Sequence, residues 1–323
     1  MRLPMSADDA ARALDPTALD TRVVRRSFGR AAGTYSDAAT MQREVSAKAF
    51  ARLDGVGLRP ASILDAGCGT GFALPHMAAC FPDARRVALD LALPMLLVAR
   101  NANIGAGVGD GVSHDFVCGD ISALPFAASA FDLVWSNLAV QWINDLSPAF
   151  VELLRVLRPG GLLSFTTIGP ATLPELRGAF SNTDEHTHFS RFVDATRIAA
   201  MLAVAGFVDC VVESEPFVLT YADGMAMMRD LRAIGATNAT HGRPRGLTGR
   251  ARWHRMLEAL EATPRREGRI PATFEIIYVR ARKSQAIAMA TATMSMSTNG
   301  DSVQSATHRC SAESRRVEDG SPR

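Results

Sequence analysis

The sequence predicts an α/β fold built on a doubly wound, mostly parallel sheet with helical lid insertions. Three observations carry this. Short strand-like runs alternate with helical stretches over residues 61–168, the first, second and fourth of those runs are mostly apolar rather than alternating, and the first leads straight into a glycine-rich loop. A strand that is apolar along its whole length is covered on both faces, as parallel strands flanked by helices are. Strand–helix alternation returns each strand to the sheet in the same direction. Ligands of such sheets lie at the carboxyl ends of the strands.

Taken in order, Ala61-Ser-Ile-Leu-Asp65, Arg86-Val-Ala-Leu-Asp90, Asp115-Phe-Val-Cys118, Phe131-Asp-Leu-Val-Trp135 and Leu162-Leu-Ser-Phe-Thr-Thr-Ile168 read as strands. Helical stretches between them include Pro94–Asn101 and Pro148–Leu157, the second halted by a turn at Arg158-Pro-Gly-Gly161. Residues 1–21, laced with Asp and Arg, read as a flexible extension without the apolar stretch of a secretory signal. Residues 284–323 hold eight Ser, four Thr, no Leu and no aromatic residue, so they read as a disordered tail.

Composition narrows the function classes. Of 323 residues, 47% are hydrophobic, which excludes wholesale disorder. Lys plus Arg (35) nearly balances Asp plus Glu (33), so bulk electrostatic binding to nucleic acid is not expected. No apolar run reaches the roughly 18–20 residues that span a bilayer, so no membrane segment is expected. Five cysteines without metal-type spacing suit a reducing compartment, and the expected location is the cytoplasm, with no metal.

The chemistry begins at Asp65-Ala-Gly67-Cys-Gly69-Thr-Gly71. Glycines there let the backbone turn tightly and approach a ligand that a Cβ would exclude. Alone this is weak, since dinucleotide enzymes carry a related loop. Two further acids sharpen it: Asp90 ends the second strand, 19 residues after Gly71, and Asp120 follows the third within Gly119-Asp-Ile121. The bland alternative is that both acids only cap helices.

This constellation resembles the class I S-adenosylmethionine-dependent methyltransferases, whose sheet is Rossmann-like. The resemblance implies that Gly67, Gly69 and Gly71 accommodate the amino-acid part of S-adenosylmethionine and that Asp65 sits near its ammonium. It places Asp90 on the ribose and Asp120 on the adenine amino group, with Leu91 and Ile121 as adenine walls. Asn137, at the end of the fourth strand, is expected to face the methyl donor. Cys68 reads as a small loop residue, not a nucleophile.

The likeness extends beyond the cofactor loop. Ser136-Asn-Leu-Ala-Val-Gln-Trp142, Leu157-Arg-Pro-Gly-Gly161 and Ile234-Gly-Ala-Thr-Asn238 resemble the malonyl-[acyl-carrier protein] O-methyltransferases of biotin synthesis. So do Arg26-Ser-Phe-Gly-Arg-Ala-Ala-Gly-Thr-Tyr35, His188-Phe-Ser-Arg-Phe192 and Pro271-Ala-Thr-Phe-Glu-Ile-Ile-Tyr278. The similarity covers roughly residues 22–283, expected as one methyltransferase domain with an N-terminal helix and a lid insertion at about 170–262. Val279-Arg-Ala-Arg282 departs from the Gly-His-Ala-Trp of that family, and Ala171 stands where many relatives have Asp. The ending Pro271–Tyr278 also resembles an arginine-hydroxylating assembly factor of respiratory complex I, and a methyltransferase fold acting on another small molecule stays open.

The resemblance implies methyl transfer to the free carboxylate of a malonyl thioester. A carboxylate is already ionised near neutral pH, so alignment matters more than a general base. Arginine recognises a carboxylate through two parallel hydrogen bonds. Arg191 is therefore the first candidate for the carboxylate clamp, with Tyr35 and His188 as further catalytic candidates; the plain alternatives are a surface arginine, a packing tyrosine and a solvated histidine. Arg22, Arg25, Arg26 and Arg30 share one helix face, either a solvated surface or a dock for acidic acyl-carrier protein. Arg243, Arg245, Arg250, Arg252 and Arg255 form a second such group.

Overall fold

The computed structural model describes residues 15–104, 114–181, 188–243 and 249–285. Two helices, α1 (Thr21–Ala38) and α2 (Thr40–Ala51), precede β1 (Ser62–Ala66), α3 (Leu74–Cys80), β2 (Arg85–Asp90), α4 (Leu93–Ile104), β3 (His114–Cys118) and β4 (Phe131–Asn137). A short 3-10 turn at Val140–Trp142 leads to α5 (Leu146–Val156) and β5 (Leu157–Ile168). Then come α6 (Pro174–Ser181), α7 (Ala195–Ala205), β6 (Phe207–Tyr221), α8 (Gly224–Ala233), α9 (Arg250–Glu261) and β7 (Ile270–Lys283).

The seven strands form one sheet in the order β3-β2-β1-β4-β5-β7-β6. The first five are mutually parallel, and β7 runs antiparallel between β5 and β6. Strand order reverses between β1 and β4, so the crevice beyond their carboxyl ends is where a ligand is expected. Every residue of β1 is buried, which accounts for its lack of a polar–apolar alternation. Separate apolar clusters account for the core; in one, Phe50 of α2 stacks on Trp135 of β4 at 4.0 Å between ring centroids, and in another Phe150 of α5 packs against Phe165 of β5.

Three boundaries differ from the sequence reading. Leu19, assigned to the flexible extension, is buried, and its backbone N–H and C=O both bond the Asn144 side chain. The Asp20 carboxylate caps α1 by accepting from the backbone N–H groups of Arg22 and Val23. Packing of this kind needs long-range partners that local composition cannot reveal. The Arg158-Pro-Gly-Gly161 turn lies inside β5 as an irregularity: the partner of β4 jumps from Leu157 at Phe131 to Leu162 at Leu133. The lid expected over about 170–262 is interrupted, because α7 packs on the sheet and β6 is its edge strand.

Residues 1–14 of the extension and 286–323 of the tail lie outside the described residues, as does Arg245. Among the described residues, no helix is long and apolar enough to cross a membrane.

Candidate active site

The chain leaves β1 through a loop pinned from below. Backbone N–H groups of Gly67 and Cys68 both donate to Leu89 O, at 2.7 and 2.9 Å, tying the loop to the end of β2. Gly67 has φ +84°, and a Cβ there would collide with the Ala139 side chain. Gly69 has φ +55° and faces the Tyr35 ring. These two positions are why the loop needs glycine.

Asp90 holds the loop from the side. Its Oδ2 accepts from Gly69 N at 2.9 Å and its Oδ1 from Ala92 N at 2.8 Å. Burial pushes its carboxyl above the ordinary value, opposed by these two hydrogen bonds. Asp65 lies deeper: it is 2% exposed, and its Oδ2 has no hydrogen-bond partner. Desolvation, aided by the charge of Asp90, raises the Asp65 carboxyl to about 8.

Above this loop lies a cavity of about 310 Å³ lined by Gly67, Gly69, Asp90, Leu91, Asp120, Ile121 and Asn137 among others. Asp65 does not reach its wall but sits beneath it. Asp120 is braced by accepting from Ser122 N at 2.8 Å. Asn137 lines the cavity, yet its amide is committed elsewhere: Nδ2 donates to Gln42 O and Oδ1 accepts from Thr166 Oγ1. The acids Asp90, Asp120 and Asp145 outnumber the single lining arginine, Arg25.

A second cavity, of about 460 Å³, adjoins the first. It is walled by α8, α6, the segment 188–192 and the loop 236–240, and most of its lining is apolar. Phe28, Tyr35, Leu138 and Trp142 line both cavities and so form the partition between them. Leu138 holds φ +51°, a conformation unusual for a branched side chain, directly after β4. Burial, with Asp90 and Cys68 nearby, raises the Tyr35 phenol, so its hydroxyl stays protonated. Tyr35 Oη has no hydrogen-bond partner among the described residues.

His188 lines the second cavity and stacks on Phe180 at 3.9 Å. Arg191 does not line it. Along residues 189–192, Phe189, Ser190 and Phe192 line the cavity while Arg191 is exposed, its charge near Asp15. The Arg177 guanidinium occupies the place between the two phenylalanines, 4.4 Å from the Phe189 ring and 5.5 Å from that of Phe192.

Sequence reasoning missed several lining residues. Gln42 is 6% exposed, and its side-chain Oε1 is unpartnered. Gln141 donates to Leu138 O at 2.7 Å, bracing the strained residue of the partition. Arg229 and Arg232 supply cations on α8. Their i, i+3 spacing, which puts both on one helix face, is the sequence signal that could have found them. Of the second arginine group, Arg243 is engaged with Asp20 at 3.6 Å.

A parallel sheet reversing between β1 and β4, with a glycine loop flanked by acids at that point, defines a class I S-adenosylmethionine-dependent methyltransferase. The Methyltransferase domain family matches residues 64–165. The YcgJ protein of Bacillus subtilis shares the fold, with TM-score 0.52 and 17% identity over 73% of this chain and 97% of its own. The buried, unpartnered Asp65 oxygen under the loop and the carboxylates of Asp90 and Asp120 in the cavity lining fit a cationic ligand.

Two curated proteins are much nearer in sequence. The malonyl-[acyl-carrier protein] O-methyltransferase of Methylovorus sp. (strain MP688) is 48% identical over 84% of this chain and 92% of that protein. Its namesake in Gallionella capsiferriformans (strain ES-2) is 46% identical over 82% and 91%. The chain belongs to the malonyl-[acyl-carrier protein] O-methyltransferase family.

Proposed function

We propose that the protein methylates the free carboxylate of a malonyl group carried as a thioester on acyl-carrier protein, the esterification step of biotin synthesis. The observation that carries this reading is the charge contrast between the adjoining cavities. The loop cavity, rich in carboxylates, suits a cationic donor. The second cavity has Arg229, Arg232 and His188 and, among the described residues, no acid in its lining, so it suits an anionic acceptor.

When bound, S-adenosylmethionine supplies an electrophilic methyl group on a cationic sulfur, which a carboxylate oxygen displaces as the C–S bond breaks. Of the candidate donor residues, Gly67, Gly69, Asp90, Leu91, Asp120 and Ile121 line the loop cavity, while Asp65 and Gly71 lie outside its lining, Gly71 against Ala99 and Leu74. The acceptor is already an anion near neutral pH, so the chain has no proton to remove. Its task is alignment and exclusion of water. Tyr35 supports that role: a neutral hydroxyl on the partition donates a hydrogen bond without competing as a nucleophile. The cavity lining favours Tyr35 and Gln42 near the reacting end and leaves Arg191 outside it. The exposed arginines Arg22, Arg26 and Arg30 of α1 are candidates for docking the acidic carrier, with Arg25 nearer the donor cavity.

The decisive experiment incubates the protein with S-adenosylmethionine and malonyl-acyl-carrier protein and follows the acyl group by mass spectrometry. The expected result is a gain of one CH₂ on the malonyl group, sensitive to esterase. A malonyl group unchanged under conditions where the protein binds the donor overturns the reading.

A further inference from the structure

Among the described residues, the second cavity is open along α8. Of its described lining residues, only Met225, Arg229 and Arg232 are exposed, and all three belong to α8. They stand at positions i, i+4 and i+7 of the helix, so they share one face. That face is the mouth of the cavity. Its opposite end is the partition of Phe28, Tyr35, Leu138 and Trp142, where the donor cavity begins.

The two guanidiniums at the mouth have no internal duty. Arg229 Nε makes only a 3.3 Å contact to Met225 O within its own helix. Neither arginine is paired with a carboxylate among the described residues. The acid of the same helix is engaged: Asp230 accepts from the Tyr221 hydroxyl at 2.6 Å. Two unpaired guanidiniums flanking an entrance attract an anion, and their planar donor forks match tetrahedral phosphate as well as carboxylate.

The reacting carboxylate belongs at the partition, because only there does the second cavity meet the donor cavity. The anion at the mouth is therefore a different group on the same substrate. Resting on the methyl-transfer reading above, we infer that Arg229 and Arg232 bind the phosphodiester of the pantetheine arm that carries the malonyl thioester. The arm threads the cavity between the α8 mouth and Tyr35. The largely apolar passage, with Thr237 and Gln141 along it, accommodates a neutral chain bearing amides. Met228 and Leu231 present the inner face of the same helix to that chain.

The test compares phosphate-bearing and phosphate-free forms of one arm. Calorimetric titration of the full chain with pantetheine 4′-phosphate and with pantetheine reads the site directly. Methylation of malonyl-pantetheine 4′-phosphate and malonyl-pantetheine reads its use in turnover. Wild-type protein is expected to favour the phosphorylated forms in both, and Arg229→Gln with Arg232→Gln together should cut that preference by about ten- to a hundred-fold. Arg232→Lys, which keeps a charge but not the fork, should lose only part of it. Unchanged S-adenosylmethionine affinity verifies that the variants are folded. A preference for phosphate that survives both substitutions overturns the inference, as does an equal loss on the two thioesters, which would place the pair on the carboxylate. If phosphate-dependent binding stands while neither thioester is methylated, the reaction assignment fails and the phosphate site holds.

Discussion

Asp65 stands beneath the glycine loop with one oxygen unpartnered and a carboxyl raised to about 8, whereas an unfolded aspartate titrates near 4. Between those values the unfolded chain has lost a proton that the folded chain keeps. Ligand-free stability therefore falls as pH rises from about 4 to about 8 and levels off above. A cationic donor above the loop reverses the preference, because it favours the ionised form. Binding in that window should release a proton, and donor affinity should tighten with pH by up to about tenfold per unit until about pH 8. Calorimetry in two buffers of different ionisation enthalpy measures the proton; Asp65→Asn should abolish most of the release. A wild-type affinity flat from pH 6 to 8 contradicts the assignment. Of the three glycines and three acids singled out by residue type, Gly67, Gly69, Asp90 and Asp120 line the loop cavity, whereas Asp65 and Gly71 do not. Arg191 misled because a sequence names an arginine without saying which way it points, and Phe189 and Phe192 take the inward positions.

At the scale of elements, α2 packs on the sheet through Met41, Val45, Ala49 and Phe50, the last lying on Trp135 and against His76. The same helix carries Gln42 into the acceptor cavity and offers its carbonyl to Asn137. Phe50→Ala should destabilise the fold by about 3–5 kcal/mol, the usual cost of emptying a buried aromatic site. Urea denaturation measures this, and a change below about 1 kcal/mol would mean that α2 is anchored elsewhere. Among the five parallel strands, β1, β2 and β4 were the most legible because each is short, mostly apolar and bounded by turn residues. The β6–β7 pair was less so. Along β6 buried and half-exposed positions mix, and its pairing with β7 spans the sequence of two helices. The lid was misjudged for the same reason: an edge strand with Glu213 and Glu215 on it reads locally as a polar connection. Those acids in fact meet Arg52 at 2.7 and 3.2 Å.

Across the whole molecule, net charge near zero conceals local separation: carboxylates gather at the donor cavity, arginines on α1 and at the α8 mouth. Exposed charges act on a large acidic partner through long-range attraction that salt screens. Arg22→Gln with Arg26→Gln should lower the efficiency of carrier-bound substrate relative to a small malonyl thioester several-fold at about 0.02 M salt and under about twofold at 0.5 M. A ratio insensitive to salt in both proteins removes α1 from the dock.

The partition has a consequence for the energetics of loading. Tyr35 and Leu138 belong to both chambers, so a ligand in either one packs on a wall of the other. Whatever adjustment of that wall the first ligand requires is already made when the second arrives. The two occupancies are thus thermodynamically linked, and linkage is symmetric. By whatever factor the donor strengthens capture of the malonyl carrier, the carrier strengthens retention of the donor by the same factor. Such a shared wall predicts positive coupling between the two substrates, which calorimetric titration of each in the presence of the other measures, with Tyr35→Phe expected to change the coupling factor.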